Sequence, residues 1–500
     1  MAKNKTLGIK LTEEQEACID MFTTGESFVI TAGAGAAKTT TCVLMAHQEP
    51  NTPGSYIAYN SSIAGEARIK FKGTRVTAKT SHGFAMGQVG TAHRHKIGDN
   101  VRQMPARQLA AWLKINEPFV LPNDARLAPW SLARMARDTV QRFCYSADRE
   151  ITRWHVPTTP GTFEIMDEIG AFIVPLAKQI WHDYEKVDGH LMWGRSHDPY
   201  LKMAQLRGIK LPGDFFMLDE AQDTNACVQD IFENQDGQLI AVGDANQQLY
   251  AWRGAEDYMS KMDTENRLTL SKSFRFGDAV ADEANKFLTL LDSPLRIEGF
   301  EKINSVVTTL ETPDAVLCRT NAEVIAQAMH FGDSGHRVGV VGGTYAIKQM
   351  AEGALALQSG RQASHPDMMA FKSWGEFKEY VEEEGGDLKV FVKIVDNYGA
   401  QTVINVADSC VDEKYADVVI STGHKAKGRE WERVRIGNDF QPPEPDSDTG
   451  EDGKPNSTEM MLGYVAVTRA QNELDRGSLE WIDDYLPQEN KPLSNHPEVM

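Results

Sequence analysis

Residues 27–40 read Ser27-Phe28-Val29-Ile30-Thr31-Ala32-Gly33-Ala34-Gly35-Ala36-Ala37-Lys38-Thr39-Thr40. The apolar run ending at Thr31 predicts a buried strand, and the helical pattern starting near Thr40 predicts a helix directly after it. Between them lies a glycine-bearing turn, Gly33 to Thr39 (GAGAAKT), which closes in Lys-Thr. Strand, glycine turn and helix start in that order make a phosphate cradle. The backbone N–H groups of Gly33, Ala34, Gly35, Ala36 and Ala37 converge on an anion, with Thr40 at the edge of the set. Lys38 reaches the β- and γ-phosphates of a nucleotide, and the Thr39 hydroxyl ligates Mg²⁺.

The remaining composition bounds the setting of that cradle. With 500 residues, 41% of them hydrophobic, the chain has material for several cores of ordinary size. No apolar stretch is long enough to span a bilayer, so no membrane association is expected. The start, Met-Ala-Lys-Asn-Lys, lacks the apolar segment of a secretory signal. The cysteines Cys18, Cys42, Cys144, Cys227, Cys318 and Cys410 show no C-x-x-C spacing. A disulfide framework or a structural zinc is therefore not expected, and a reducing cytoplasm, or the nucleus of a eukaryote, fits best. A net charge of -19 argues against a protein that coats nucleic acid through general basicity, and leaves room for a basic channel on an acidic body. The acidic stretches Glu382-Glu383-Glu384 and Pro442–Pro455 read as solvated surface.

Apolar runs at Phe28–Thr31, Ser55–Tyr59, Phe215–Leu218, Leu239–Val242, Ala315–Cys318, Val338–Val341, Val418–Ser421 and Val434–Ile436 alternate with helical patterns. That alternation predicts an α/β chain of parallel sheets flanked by helices. Residues 91–200 differ, with helical patterns at Pro105–Lys114, Ser131–Phe143 and Glu164–Lys186, and they read as an insertion. A second irregular piece covers 346–400.

Phe215-Phe216-Met217-Leu218 runs directly into Asp219-Glu220-Ala221-Gln222-Asp223. A buried strand ending in adjacent acids delivers them to the carboxyl edge of a sheet, where open α/β folds bind ligands. Asp219 would hold the Mg²⁺ of the nucleotide, and Glu220 would orient and deprotonate an attacking water.

With these residues in view, DEAQD resembles the second motif of the UvrD-like superfamily 1 DNA helicases, and further blocks follow in the order of that family. Leu11-Thr12-Glu13-Glu14-Gln15 resembles the Q motif, which implies that Gln15 reads the adenine edge. Tyr59-Asn60 and Thr80-Ser81-His82 resemble the two single-strand-contacting motifs Ia and Ib. Gly243 to Ala255 resembles motif III, Ser273-Phe274-Arg275 motif IV, Thr422 to Trp431 motif V, and Glu459 to Ala470 motif VI. The segments YIAYNSSIAGEA and QRFCYSADREI, with the short second insertion, are most similar to the F-box DNA helicase branch, here without an F-box.

The resemblance implies roles residue by residue. Arg275 and Arg469 would face the γ-phosphate from a second domain, making hydrolysis depend on closure. Phe274 would stack on adenine, Glu430 would accept from the ribose hydroxyl, and Gln247 would sense the γ-phosphate. Tyr59, Asn60, Thr80, His82, Thr422 and His424 would contact the strand. Tyr250 and Trp252 alternate with Ala251, so an extended segment projects both on one face. There they would stack on unpaired bases at about 1–3 kcal/mol per base, with Arg253 bridging phosphate chemistry and DNA; two core aromatics are the other reading. Arg134, Arg137, Arg142, Arg149 and Arg153 lie among Phe143, Tyr145 and Trp154, which would either continue the strand groove or form a solvated helix face.

Two positions depart from the family pattern. Ala37 stands where glycine is usual before the loop lysine. A left-handed conformation there would cost a non-glycine residue roughly 1–2 kcal/mol, whereas a helical one would be comfortable. Met461 stands where arginine is common.

The expected architecture is two RecA-like P-loop domains. The first comprises 1–90 and 201–262 around the helical insertion 91–200; the second comprises 263–345 and 401–490 around the insertion 346–400, with 491–500 as a tail. The expected activity is an ATP- and Mg²⁺-dependent 3′ to 5′ DNA helicase or translocase, acting as a monomer on single-stranded DNA and single-strand/duplex junctions. Alternatives are a nucleotide-gated DNA-binding or recruitment factor with weak hydrolysis, the motor subunit of a helicase–nuclease, and an RNA motor.

Overall fold

The computed structural model describes residues 10–120, 126–157, 166–249, 258–365, 368, 371–384, 387–443, 453 and 455–487. Two compact units divide the chain: Met1–Ala32 with Ala37–Leu270, and Gly33–Ala36 with Ser271–Met500.

In the first unit the strands are β1 (Phe28–Ala32), β2 (Pro53–Ala58), β3 (Arg75–Thr80), a short hairpin of β4 (Phe119–Val120) and β5 (Arg126–Leu127), β6 (Phe215–Asp219), β7 (Gln238–Gly243) and β8 (Arg267–Leu270). Six of them form one sheet in the order β3-β2-β6-β7-β1-β8, and every pairing in it is parallel. Buried on both faces, its central strands read as the continuous apolar runs of the sequence. Because all strands point one way, their carboxyl ends share one edge. The register places Thr31 beside Gly243, Val242 beside Asp219, and Leu218 beside Ile57. The loops after β1, β2, β6 and β7 therefore emerge together.

Helices α1 (Glu13–Thr24), α2 (Lys38–Ala46), α3 (Ser61–Lys70) and α4 (Ser81–Gln88) connect the early strands. α1 starts in a capping box between Thr12 and Gln15 and stops at Gly25, whose φ of 78° suits a residue without Cβ. Between β3 and β6 lie α5 (Ala106–Trp112), α6 (Pro129–Tyr145), α7 (Met166–Glu185) and α8 (Asp198–Leu206), together with the β4–β5 pair. Leu132, Phe143, Ile173 and Trp193 share one apolar cluster with Val29, Ile57 and Phe216 of the sheet.

The second unit holds β9 (Val306–Val307), β10 (Ala315–Cys318), β11 (Val338–Val340), β12 (Val418–Thr422), β13 (Trp431–Ile436) and β14 (Ala470–Asp475) in the parallel order β11-β12-β10-β13-β14-β9. After α9 (Ala226–Glu233) and α10 (Tyr258–Lys261) of the first unit, the second unit carries α11 (Asp278–Leu290) and α12 (Asn321–Asp333), and α13 (Tyr345–Gln358), α14 (Trp374–Glu384), α15 (Asp387–Tyr398) and α16 (Ala400–Ser409) lie between β11 and β12. Trp374, Phe377 and Phe391 anchor a separate apolar cluster there.

The two parallel six-stranded sheets flanked by helices are the α/β class expected from the apolar runs. The domain boundary at 262/263 needs correcting. Residues 267–270 form β8 and hydrogen-bond along β1, with Ile30 opposite Leu268, so this segment belongs to the first sheet. Its polar residues Arg267 and Thr269 hid a strand at a sheet edge.

Candidate nucleotide and strand-binding site

The loop after β1 runs into α2 at Lys38. Ala37, the residue before it, adopts φ 56° and ψ 37° with no side-chain cap. Of the two conformations open to this position, the left-handed one is observed, and its Cβ costs about 1–2 kcal/mol. Glu220 is left-handed as well, at φ 52°. Two such residues flank the same group of charges.

The Lys38 ammonium lies 2.7 Å from Glu220 Oε1. Burial pulls Lys38 down, but the charges of Glu220, Asp219 and Asp244 outweigh it and hold the ammonium above the ordinary lysine range. Asp219 is 3% exposed. Burial, then repulsion from Glu220, pushes its carboxyl up to about 6, against the pull of Lys38. Its Oδ1 accepts from the Glu220 N–H at 3.1 Å, and its Oδ2 accepts from the Tyr56 hydroxyl. Burial holds the Tyr56 phenol well above its ordinary value, so it remains a donor. Gln222 Nε2 donates to Glu220 Oε2 at 2.6 Å, while its Oε1 accepts from the Asp244 N–H at 3.0 Å. Gln247 donates to Asp244 Oδ2 at 2.8 Å within the loop after β7, and the Asp244–Gln222 bond joins that loop to the acids. Gln15, buried at 3% exposure, donates to Thr41 Oγ1 on α2 at 3.3 Å besides closing its capping box.

Among the described residues no group of three or more His, Cys, Asp or Glu side chains would hold a metal by itself. That donor set fits Mg²⁺ arriving with a nucleotide, because Mg²⁺ in such sites takes one or two protein oxygens and completes its shell with phosphates and water. An acid whose charge is unfavourable in the free protein suits a cation that restores it. Thr39 and Asp219 are the residues that would hold it.

A cleft of about 590 Å³ opens beside these acids, lined by Tyr59, His82, Tyr145, Asp198, Asp219 and Asp223 among others. Tyr59 follows β2 and is exposed; Asn60 caps α3 by accepting from the Ile63 N–H at 2.9 Å. Thr80 likewise caps α4, accepting from the Gly83 N–H at 3.0 Å. His82 pairs with Asp198 at 3.2 Å. Gln141 and Ser196 donate to the same carboxylate at 2.6 and 3.2 Å. Burial raises Asp198, but these donors outweigh it and leave the acid below its ordinary value.

The arginines of the insertion mostly serve structure. Arg137 donates to the Met104 carbonyl and Arg142 to that of Val156, while Arg149 pairs with Asp230 and Arg153 with Asp167. Phe143 is core, and Tyr145 alone of that group lines the cleft. Tyr250, Trp252 and Arg253 lie outside the described residues.

Within the second unit four candidates meet. Arg275 Nε donates to Glu430 Oε2 at 2.6 Å, and its NH1 donates to the Thr468 carbonyl at 3.1 Å. Arg469 is 2% exposed, with Nε on the Val465 carbonyl at 2.8 Å and NH2 on Thr468 Oγ1 at 3.0 Å. Phe274 is half-buried and packs on Phe300 with ring centroids 5.2 Å apart. Thr422 is not with them; its hydroxyl caps α17 (Gly423–Ala426), and His424 follows on that helix.

Sequence reasoning missed Tyr56, Gln222, Asp244 and Asp198, and left Tyr145 open between a strand groove and a helix face. Gln222 and Asp244 lie inside matched motifs and were within reach. The other two needed the fold, since nothing in the spacing links Tyr56 to Asp219 or Asp198 to His82.

Residues 209–266 match the UvrD/REP helicase N-terminal domain. The chain is similar to F-box DNA helicase protein 1 of Schizosaccharomyces pombe, with 26% identity over 93% of this chain and 57% of that protein. It is also similar to F-box DNA helicase 1 of Gallus gallus, with 27% identity over 93% of this chain and 48% of that protein. It thus spans about half the length of the curated relatives it matches. No helix among the described residues is long and apolar enough to cross a membrane.

Proposed function

We propose that this chain, similar to the UvrD-like helicases and to F-box DNA helicases, hydrolyses ATP and uses the cycle to step along single-stranded DNA, 3′ to 5′, unwinding duplex or stripping bound protein. The observation that carries the reading is the Lys38–Glu220–Asp219 assembly. It stands at the carboxyl edge of a parallel sheet whose neighbouring loops bear Tyr59 and His82 beside an open cleft. The same edge thus offers a phosphate site and a strand site.

In this reading the nucleotide lies between two RecA-like domains. The loop N–H groups and Lys38 take the phosphates, and Gln15 reads adenine while Phe274 stacks on it. Glu430 accepts from the ribose. Mg²⁺, when bound at Thr39 and Asp219, supplies charge neutralisation at the β- and γ-phosphates. Glu220 takes the proton of the attacking water, and Arg275 and Arg469 spread charge over the transferring group. Gln247, through Asp244 and Gln222, links Glu220 to the loop that leads toward Tyr250, Trp252 and Arg253. Tyr59, Asn60, Thr80, His82, Thr422 and His424 hold the strand, which alternates between two grips as the domains close and part. Salt bridges in the free protein, Lys38 to Glu220 and Arg275 to Glu430, hold these groups until substrate displaces them.

The test is ATPase stimulation by single-stranded DNA. Stimulation is expected in the wild type and absent in Lys38→Ala and Glu220→Gln; its survival in either variant overturns these roles. Unwinding of substrates tailed at one end or the other reads polarity. The left-handed Ala37 favours one rival, a nucleotide-gated DNA-binding factor with slow hydrolysis. A single-turnover assay with and without DNA separates the two: a rate unchanged by DNA supports the rival.

A further inference from the structure

We infer that Tyr56 is the positioning residue for Asp219, its hydroxyl holding the carboxylate in the orientation that serves a nucleotide-bound divalent cation. The inference rests on the proposed nucleotide site and gives a role to a residue that has none in the nucleotide-site motifs read from the sequence.

The geometry follows from strand register. β2 and β6 are parallel neighbours, and Tyr56 stands opposite Met217. Asp219 is two residues further along β6, so it points to the same face as Met217 and lies diagonally from Tyr56, a separation that an aromatic side chain spans. Tyr56 has no exposed surface, and its ring packs on Phe71 with centroids 5.1 Å apart. The ring therefore has one place to go, and its hydroxyl ends on Asp219 Oδ2 with the Thr39 side chain beside it. The other oxygen, Oδ1, is held by the Glu220 N–H at 3.1 Å. Each carboxylate oxygen thus has a fixed donor, and rotation about the last side-chain bond is stopped. Glu220 is itself in a left-handed conformation, so the backbone donor sits at a strained turn while the phenol comes from a rigid strand. Tyr56 touches both residues proposed to hold the cation. A phenylalanine would fill the same space and release Oδ2.

The experiment measures binding of a fluorescent ADP analogue to the full chain in Mg²⁺ and in EDTA. In Tyr56→Phe the gain in affinity that Mg²⁺ confers is expected to fall about tenfold, one decade in the binding constant, with affinity in EDTA kept within about twofold. Asp219→Asn is expected to lose the Mg²⁺-dependent gain entirely. A full gain in Tyr56→Phe alongside a loss in Asp219→Asn overturns the role of Tyr56 and leaves the nucleotide site standing. An equal loss in Mg²⁺ and EDTA reduces Tyr56 to a packing residue and also overturns it. A gain preserved in Asp219→Asn overturns the nucleotide-site reading itself. Should Tyr56→Phe fail to fold, Phe71→Leu keeps the hydroxyl but slackens the ring; about a threefold loss of the same gain is expected, and an intact gain overturns the inference.

Discussion

Ala37 and Glu220 face one another in kind: both non-glycine, both left-handed, both next to a charged group of the proposed phosphate site. Strain of this sort persists where surrounding structure over-determines it. At Ala37 the strain can be relieved without touching a functional side chain. Ala37→Gly is expected to stabilise the protein by about 1 kcal/mol, the left-handed penalty less the greater chain entropy of glycine. Its ATP turnover should stay within about tenfold of the wild type, about 1.4 kcal/mol. Urea denaturation and steady-state ATPase measurements check the two halves, and a silent enzyme awakened by glycine would contradict the second. At Glu220 the side chain is the proposed base. Gln222 buttresses one of its oxygens and Lys38 the other. Gln222→Ala is expected to lower turnover while leaving nucleotide affinity nearly unchanged, a split that separate kcat and binding measurements resolve. A loss confined to affinity would assign Gln222 to the phosphates instead.

At the scale of elements, α11 (Asp278–Leu290) and the final 3₁₀ segment Gly477–Tyr485 are clasped by four charges. Lys286 pairs with Glu283 at 2.7 Å and with Asp483 at 2.8 Å, and Arg476 pairs with Asp483 at 2.9 Å and with Glu283 at 3.2 Å. Burial raises Asp483, yet hydrogen bonds and charges from Arg476 and Lys286 outweigh it and depress the carboxyl. A depressed acid contributes stability that is complete above its unfolded value, near 3.9, and is lost as pH falls through the lower folded value. Asp483→Asn is expected to cost about 2 kcal/mol at neutral pH and to flatten the acid limb of a pH–stability curve. Chemical denaturation between pH 7 and pH 2 measures both, and an unchanged acid limb would show that the clasp is not the acid-sensitive contact.

On the scale of the whole molecule, the proposed function would require a body with net charge -19 to hold a polyanion through a restricted set of contacts. Hydrogen bonds and stacking at the cleft reduce the share carried by free cations, but each neutralised phosphate of a single strand still releases counterion. The DNA concentration giving half-maximal ATPase is therefore expected to rise with salt, with a log–log slope of about 0.7 per phosphate contact. A flat response between low and moderate salt would argue against a strand-binding groove. A non-hydrolysable ATP analogue with Mg²⁺ at about a hundred times its Kd is expected to stabilise the wild type by about 2.7 kcal/mol. Thermal melts of Lys38→Ala should show little of that shift.

How much was readable in advance follows from which strands lie where. All eight apolar runs picked from the sequence fall on strands, because a strand buried on both faces can hardly be anything but apolar. β3 and β8, at sheet edges, and β14, beside one, were passed over, since a strand with a solvated side carries charge and alternation instead of a continuous run, and β9 is only two valines, too short to stand out. The phosphate loop and the acids after β6 were legible because a few residues contiguous in sequence define each. What the chain order could not show is any pairing made across strands or between the segment 91–200 and the sheet, such as Tyr56 with Asp219 or His82 with Asp198. The conformation of Ala37 belongs with them. Both geometries were compatible with its neighbours, and the left-handed one was selected by the turn that must join a buried strand to a helix whose first residue is Lys38. Sequence by itself determined the class of sheet and the location of the charged chemistry, through local runs with strong physical preferences. Only tertiary structure decided which side chains hold those charges in place, because register and packing bring together residues that lie far apart along the chain.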